Sequence, residues 1–487
     1  MTSEKPNVVV IGGSYVGSRV VDLVAPRVYK THNVVMIEKS SHFQNQFIFP
    51  RMHAVQGFEH KAFIPFTGTF FRSADLLREE LGLPKEESLP SESTKIVQGF
   101  VDAVYPKHVS LESGEKIPYE YLVVATGTGQ PGSMKVSEKK DNVERWRELQ
   151  KKVQNAEKIV VVGAGAYGIQ LVTDLKTYQP TSSKHVTLVH SRQHLMNRFH
   201  SKLHEIVLDR LGELGIDVVL GKRVVVPEGG FPNDEGKMFN VELVPNPNVP
   251  AEERSKGSDK LEADLVILCT SATPSSSPLR TLAPDAIIPD TGYIRVKPTL
   301  QVDVSPSHLS HRGASESING DASKHSNNDN NDDVLSRVFA VGDVAHTGAH
   351  KAARPGYFQA EVLARNIEKM IKHQSTSKLE KIDDLKVEKD VKEQLEDLAL
   401  NDKDSNLGLK DEIQEELELE EYSFDPPGIH LYLGLDKGII FRDPRRPTPE
   451  NQNPEPTWSW DSGSSDLEIN TQRLWDTRAS GVKDWYA

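Results

Sequence analysis

The chain has 487 residues and a formal net charge of −13, too long for one core and acidic enough to argue against a nucleic-acid polyanion as its main partner. Its single cysteine, Cys269, excludes an intrachain disulfide, a cysteine zinc site and a redox-active cysteine pair. No run approaches the roughly 18 apolar residues of a membrane span. The start, Met1-Thr2-Ser3-Glu4-Lys5-Pro6, carries no targeting or myristoylation pattern, so a cytoplasmic location is expected, with peripheral attachment to a membrane left open.

An apolar strand, Val8-Val9-Val10-Ile11, runs into Gly12-Gly13-Ser14-Tyr15-Val16-Gly17 and a helix predicted over residues 16–23. A buried strand, a turn with little side chain and a helix N-terminus are what a dinucleotide pyrophosphate needs. Ser14 stands at the middle fingerprint position, where its Cβ crowds the pyrophosphate while its hydroxyl can donate to a phosphate oxygen. Glu38 ends the next strand, Val34-Val35-Met36-Ile37-Glu38. It can accept from a ribose hydroxyl there; the bland alternative is an acid that merely ends a strand.

Residues 41–71 are rich in aromatics and histidine, with Phe43, Phe47, Phe49, His53, Phe63 and Phe70 among them. Such a segment can wall a flat aromatic cofactor, with Arg51 placed to neutralise phosphate or the electron-rich edge of a flavin; an aromatic core patch is the other reading. Residues 95–101 and 109–114 alternate and turn like a β-meander. The strand after them ends in Ala125-Thr126-Gly127, small enough for backbone to approach a bound dinucleotide.

A linker at 129–133 and a polar helix around 143–153 lead to a second copy of the device, Ile159-Val160-Val161-Val162-Gly163-Ala164-Gly165-Ala166-Tyr167-Gly168. This copy has all three fingerprint glycines, Gly163, Gly165 and Gly168. Its next strand ends in His190 rather than an acid, followed by Ser191 and Arg192. Those two suit a 2′-phosphate, so NADPH fits as well as NADH, unless Arg192 is simply a solvated charge. A short strand is expected at 238–244, and residues 264–270 close the unit with Cys269 as a small buried hydrophobe.

Residues 292–302 read as a strand leading back to the first unit. Residues 305–333 read as a disordered polar insertion whose histidines are solvated, so no metal site is expected. A buried strand then ends in Gly342-Asp343, and a helix is predicted over 353–372 with Lys351 just ahead of it. Asp343 can accept from ribityl or ribose hydroxyls, or simply cap a helix. Residues 374–421 are charged and read as a solvated acidic insertion. The tail holds four of the five tryptophans, Trp458, Trp460, Trp475 and Trp485, which should be buried in a small C-terminal unit packing on the first domain.

In this order the motifs resemble the two-dinucleotide flavoproteins of the apoptosis-inducing-factor-like family, most nearly the ferroptosis-suppressor branch of NAD(P)H:quinone oxidoreductases. The resemblance rests on the two glycine turns, the spacing from Phe43 to Arg51, Ala125-Thr126-Gly127 and Val341-Gly342-Asp343. It implies an α/β fold in which an FAD domain, residues 1–135 and 276–373, is split by an NAD(P)H domain, residues 136–275. Both domains are Rossmann-like, and the acidic insertion 374–421 and a small α+β C-terminal region, 422–487, follow.

The resemblance further places FAD on Gly12, Gly13, Ser14, Tyr15, Val16, Gly17 and Glu38, with Arg51, the backbone at Val97, Thr126, Gly127 and Asp343 completing its site. NAD(P)H falls on Gly163, Gly165 and Gly168, with Arg192 at its ribose. Lys351 matches a lysine of the branch that lies near the flavin, and Gln170 replaces the glutamate usual after the second turn; these two are the catalytic candidates. The implied activity is hydride transfer from NAD(P)H to flavin and on to a quinone-like or other small acceptor. A redox-sensing flavoprotein with slow turnover and a protein partner is the alternative, which Gln170 and the acidic insertions favour. Nucleic-acid binding conflicts with the net charge.

Overall fold

The computed structural model describes residues 5–70, 91–129, 137–232, 236–256, 259–270, 273–304, 333–398, 417–448, 451–461, 467–469 and 471–486. The insertion expected at 305–333 and the acidic residues 399–416 therefore lie almost wholly outside the described residues. In chain order the elements that build the site are β1 (Asn7–Ile11), α1 (Tyr15–Val28), β2 (Asn33–Glu38), α2 (Phe49–Met52), β3 (Thr94–Gln98), β4 (Tyr121–Val124), α3 (Lys139–Asn155), β5 (Lys158–Val162) and α4 (Ala166–Thr177). They continue with β6 (His185–His190), α5 (Ser201–Glu213), β7 (Asp217–Leu220), β8 (Leu265–Leu268), β9 (Val338–Ala340), α6 (Ala353–Leu398), β10 (Gly428–Tyr432), β11 (Gly438–Arg442), β12 (Thr457–Asp461) and α7 (Thr471–Arg478).

Two parallel sheets result, one in the order β9-β4-β1-β2-β3 and the other in the order β7-β6-β5-β8. The first takes its edge strand β9 from beyond the second sheet in sequence, and the chain crosses between the two at a short antiparallel pairing of Thr128 with Pro274. This is the Rossmann-type α/β fold expected.

The uninterrupted apolar runs form strands because both faces of each sheet are covered. Val8 and Val10 point to one face, packing on Val20, Val24 and the α6 residues Leu363 and Ile367. Val9 and Ile11 point to the other, against the meander residues Val101, Val104 and Leu111. The ion pairs Arg27–Glu368 (3.1 Å) and Arg19–Glu361 (3.0 Å) tie α1 to α6.

Several boundaries differ from expectation. Helix α1 runs on to Val28 with Pro26 in its last turn, where the Arg27 side chain donates to the Leu23 carbonyl. Helix α6 runs to Leu398, through the first half of the supposed acidic insertion, because its Lys, Glu and Leu favour helix and no glycine or proline stops it there. The C-terminal sheet β10-β11-β12 rests on both domains rather than on the first alone. Its Leu431, Ile439 and Phe441 join the core formed by α4, α5 and the segment around Ile48 and Phe63. Helix α7, through buried Trp475, packs on Phe43 and Ile64 of the first domain. Trp458 and Trp460 hang from the sheet edge 43% and 48% exposed, so the aromatic tail is only partly buried.

Candidate functional site: two glycine turns at the carboxyl ends of two sheets

The two glycine turns are built alike, atom for atom. In the first, the Gly12 N–H donates to the Ile37 carbonyl and the Ala125 N–H to the Ile11 carbonyl. In the second, the Gly163 N–H donates to the Val189 carbonyl and the Cys269 N–H to the Val162 carbonyl. Gly12 (φ +104°) and Gly163 (φ +113°) hold a left-handed backbone, and a Cβ on either would sit 2.4 Å from the carbonyl oxygen of Ala125 or Cys269. A Cβ on Gly17 or Gly168 would sit 1.8 Å or 1.9 Å from the carbonyl oxygen of Gly12 or Gly163. Only glycine closes these turns, which is why the motifs read through so plainly in the sequence.

Each turn delivers an open helix end. Neither α1, capped at Ser14, nor α4, capped at Gly165, has a side-chain cap bond or an acid in its first turn. Their first N–H groups and dipole charge face the carboxyl end of a parallel sheet, which suits an anion. Gly13, Tyr15 and Val16 are placed in the first turn as the motif requires. The Tyr15 hydroxyl donates to Asn45 Oδ1 (2.9 Å), and its ring meets Phe43 and the half-exposed Phe47, both at 4.8 Å.

The remaining first-site residues gather around that turn. Glu38 accepts from the Gly13 N–H (2.5 Å) through one oxygen and from the Ser40 N–H (2.9 Å) through the other. Val97 pairs with Ile37, beside Glu38. The Thr126 hydroxyl donates to the Ser275 carbonyl (2.7 Å), and Gly127 (φ +63°) accepts from the Ser275 N–H, so both belong to the crossing between domains. Gly342 donates its N–H to Gln359 Oε1 (2.7 Å) and packs on Val16, bringing Asp343 to the mouth of the first turn. Burial raises the Asp343 carboxyl above its ordinary range, with Lys351 and Arg198 pulling it back. Burial also lowers the Lys351 amine, which donates to the Ala345 carbonyl and lies 4.4 Å from the Tyr293 ring centre.

Arg51 goes elsewhere. Its guanidinium forms a bidentate pair with Asp174 of α4 and donates to the Gly434 carbonyl of the C-terminal sheet, at 3.1–3.2 Å in each case. With its donors engaged in this way, Arg51 ties the second domain to the first; the expected role of neutralising a phosphate or flavin edge requires it to leave Asp174.

At the second turn the strand-end residue is His190, the counterpart of Glu38, and its Nδ1 accepts from the Ala164 N–H (3.2 Å). Arg192 is exposed and donates to Asn197 Oδ1 (2.8 Å). Gln170 is buried on α4 one turn before Asp174, whose carboxyl its side chain helps to pull down. Tyr167, exposed beside the turn, bonds His53 Nε2 (3.0 Å). Burial lowers His53 to about 4, which keeps it neutral. Cys269 is partly exposed, and burial of its thiol raises it to about 12.

Asp174, Arg198 and the His53–Tyr167 pair did not stand out in the sequence. Asp174 alone had a signal, as an acid inside the apolar stretch Ile169-Gln170-Leu171-Val172-Thr173-Asp174-Leu175. Among the described residues no group of three or more His, Cys, Asp or Glu side chains could hold a metal ion.

Comparison with known proteins agrees with this geometry. The sequence pattern of the family described as pyridine nucleotide-disulphide oxidoreductase matches residues 6–306. The chain is similar to Fe-regulated protein 8 of Mycosarcoma maydis, 28% identical over 99% of this chain and 97% of that one. It is also similar to human ferroptosis suppressor protein 1, 26% identical over 75% of this chain and 81% of that one. The expected resemblance to the ferroptosis-suppressor branch is thereby borne out. In three dimensions the chain resembles the sulfide:quinone oxidoreductase of Aquifex aeolicus, with a TM-score of 0.59 and 14% identity over 97% of this chain and 91% of that one.

Two side-chain-free cradles, each at an uncapped helix end, fit two dinucleotide pyrophosphates, and Glu38 and Asp343 supply the acceptors a flavin dinucleotide needs at the first. With more than half its length matched to the family pattern, the chain belongs to the pyridine nucleotide-disulphide oxidoreductase family, as an NAD(P)H-dependent oxidoreductase that uses FAD.

Proposed function

We propose that the protein passes electrons from NAD(P)H to a small quinone-like acceptor that diffuses in from solvent. Cys269 carries this reading. It is the only cysteine of the chain, and its thiol is held up at about 12, so no internal disulfide can relay electrons. The reducing equivalents have to leave with a diffusible molecule. When bound, the two nucleotides supply the hydride chemistry, and the protein supplies placement and electrostatics.

The residues divide that work. Both glycine turns anchor phosphates, and Glu38 holds a ribose. Lys351 and Arg198 keep positive charge beside the buried Asp343 at the mouth of the first site, where negative charge on an acceptor oxygen is stabilised. Overall, NAD(P)H and one solvent proton convert a quinone to a quinol: two electrons and one proton come from NAD(P)H and the second proton from water. The names of a relative and a fold neighbour, ferroptosis suppressor protein and sulfide:quinone oxidoreductase, support an acceptor of this class.

A slow, redox-sensing flavoprotein is the second reading, favoured by Gln170, which brings no charge to the second site. Among the described residues no helix is long and apolar enough to cross a membrane, and we place the activity in the cytoplasm or on a membrane surface. Steady-state NAD(P)H oxidation with a panel of short-chain quinones separates the readings. Turnover well above aerobic autoxidation is expected, and turnover no faster than autoxidation with every quinone overturns the enzyme reading.

A further inference from the structure

Helix α7, 460 residues downstream in sequence, reaches the first glycine turn from both of its ends. At its start, Thr471 Oγ1 accepts from Asn45 Nδ2 (3.4 Å), and Asn45 Oδ1 accepts from the Tyr15 hydroxyl (2.9 Å). At its other end, the Arg478 guanidinium lies over the Phe43 ring, 3.6 Å from the ring centre, and 5.6 Å from that of Tyr15. Tyr15 itself stands in the first turn of α1, the open helix end that suits an anion.

Arg478 is built into the fold. It is only 6% exposed, and its carbonyl closes on Gly68, where an added Cβ would sit 2.7 Å from the oxygen. The residues after it are tied down as well. Trp475 Nε1 donates to the Val482 carbonyl (3.1 Å) and Lys139 Nζ to the Trp485 carbonyl (2.7 Å). Lys139 is joined in turn to the segment after Glu38, its N–H donating to Ser41 Oγ (3.2 Å).

The charge of Arg478 also reaches the turn: burial raises the Tyr15 hydroxyl above its ordinary value, and Arg478 pulls it back. A guanidinium laid on an aromatic face keeps its N–H edge for an oxyanion, which is why such stacked arginines suit phosphate. The cation expected at this turn from the sequence, Arg51, is engaged by Asp174 and Gly434 instead.

We propose that Arg478 is the cation of the FAD diphosphate site, and that α7 with residues 479–486 is a clasp that holds the cofactor in. The proposal rests on reading the first glycine turn as the FAD site.

The rate at which the full-length, FAD-loaded protein releases flavin on dilution, followed by flavin fluorescence, tests it without turnover. Arg478→Gln should release FAD at least about tenfold faster, as loss of a charge-assisted contact to phosphate implies. Arg478→Lys, which keeps the charge and gives up the stacking, should stay within about threefold of the parent. Release unchanged in Arg478→Gln, equal acceleration in both variants, or loss of the fold in Arg478→Gln overturns the cation role while the FAD site stands. Ser14→Asp, a residue well suited to cap α1, puts negative charge at the turn and should also speed release at least about tenfold. A Ser14→Asp protein that holds FAD as the parent does overturns the reading of the turn and the proposal together.

Discussion

Arg51 and Asp174 meet as a bidentate salt bridge at 3.1 Å and 3.2 Å, with both side chains 1% exposed or less. Arg51 belongs to the short helix α2 of the first domain and Asp174 to α4 of the second. The same guanidinium reaches Gly434 and lies 5.2 Å from the Tyr432 ring centre in the C-terminal sheet. Three parts of the chain are thus joined through one cation. Asp174→Ala leaves that cation buried and unpaired, and a loss of about 3–5 kcal/mol in stability is expected. Arg51→Met combined with Asp174→Leu should cost less than Asp174→Ala alone, because no charge is then stranded. Urea denaturation of the three proteins checks the order; a double variant weaker than the single one would show that the pair itself, not the stranded charge, sets the stability.

The same pair gives a pH dependence with a definite sign. Burial raises Asp174 to about 6, although Arg51 pulls it down. An acid raised on folding binds its proton more tightly in the folded state. Its contribution favours folding fully below its unfolded value near 4 and is lost as pH rises through about 6. Asp174→Asn should therefore remove a component of stability that falls between about pH 4 and pH 6. Melting temperatures measured across that range should show a flatter profile for the variant; an unchanged profile contradicts the assignment.

Much of this was legible in the sequence, and the reason differs from residue to residue. Gly12, Gly17, Gly163 and Gly168 announced themselves because a Cβ at each would strike backbone, a constraint that no side-chain exchange elsewhere can relieve. Glu38 and His190 were legible as strand ends, since the strands before them are unbroken apolar runs. The pairing of Arg51 with Asp174 was not legible: the partner lies 123 residues away in the other domain, and pairwise chemistry at that distance leaves no local trace. The course of α6 beyond residue 372 was hidden for the opposite reason: its charged composition suits a solvated helix and a solvated loop equally.

Lys351 should separate cofactor retention from turnover. Its amine contacts the Ala345 carbonyl and the Tyr293 ring beside Asp343, not the glycine turn that grips the pyrophosphate. Lys351→Met is expected to keep FAD bound and to lower the rate of acceptor reduction on the order of a hundredfold, the usual effect of removing one electrostatic contact to developing charge. Flavin absorbance after gel filtration and turnover measured on the same sample decide it; loss of FAD together with activity would place Lys351 in binding instead.

Gln170 invites the reverse experiment. Gln170→Glu places a second carboxyl one helical turn from Asp174, in a site already buried. Two carboxyls so placed cannot both ionise freely, so one is raised well above its ordinary range. The variant should show a pH-dependent step in the rate of flavin reduction by NAD(P)H, between roughly pH 5 and pH 8, that the parent protein lacks. Stopped-flow bleaching of the flavin band across that range is the measurement, and parallel profiles would remove Gln170 from the nicotinamide site.

Cys269 provides the last test, because its place is occupied by alanine in the other half of the molecule. The Cys269 carbonyl closes on Gly163 as the Ala125 carbonyl closes on Gly12, at the same 2.4 Å to an added Cβ. The backbone carries the function at both positions, and the thiol, raised to about 12, offers almost no thiolate at neutral pH. Cys269→Ala should therefore alter stability by about 1 kcal/mol or less and leave quinone-dependent turnover intact. Treatment of the parent protein with iodoacetamide at pH 8 should likewise leave activity unchanged. Rapid inactivation, prevented by Cys269→Ala, would mean that the thiol is reachable and ionised, and would reopen the possibility that it takes part in electron transfer.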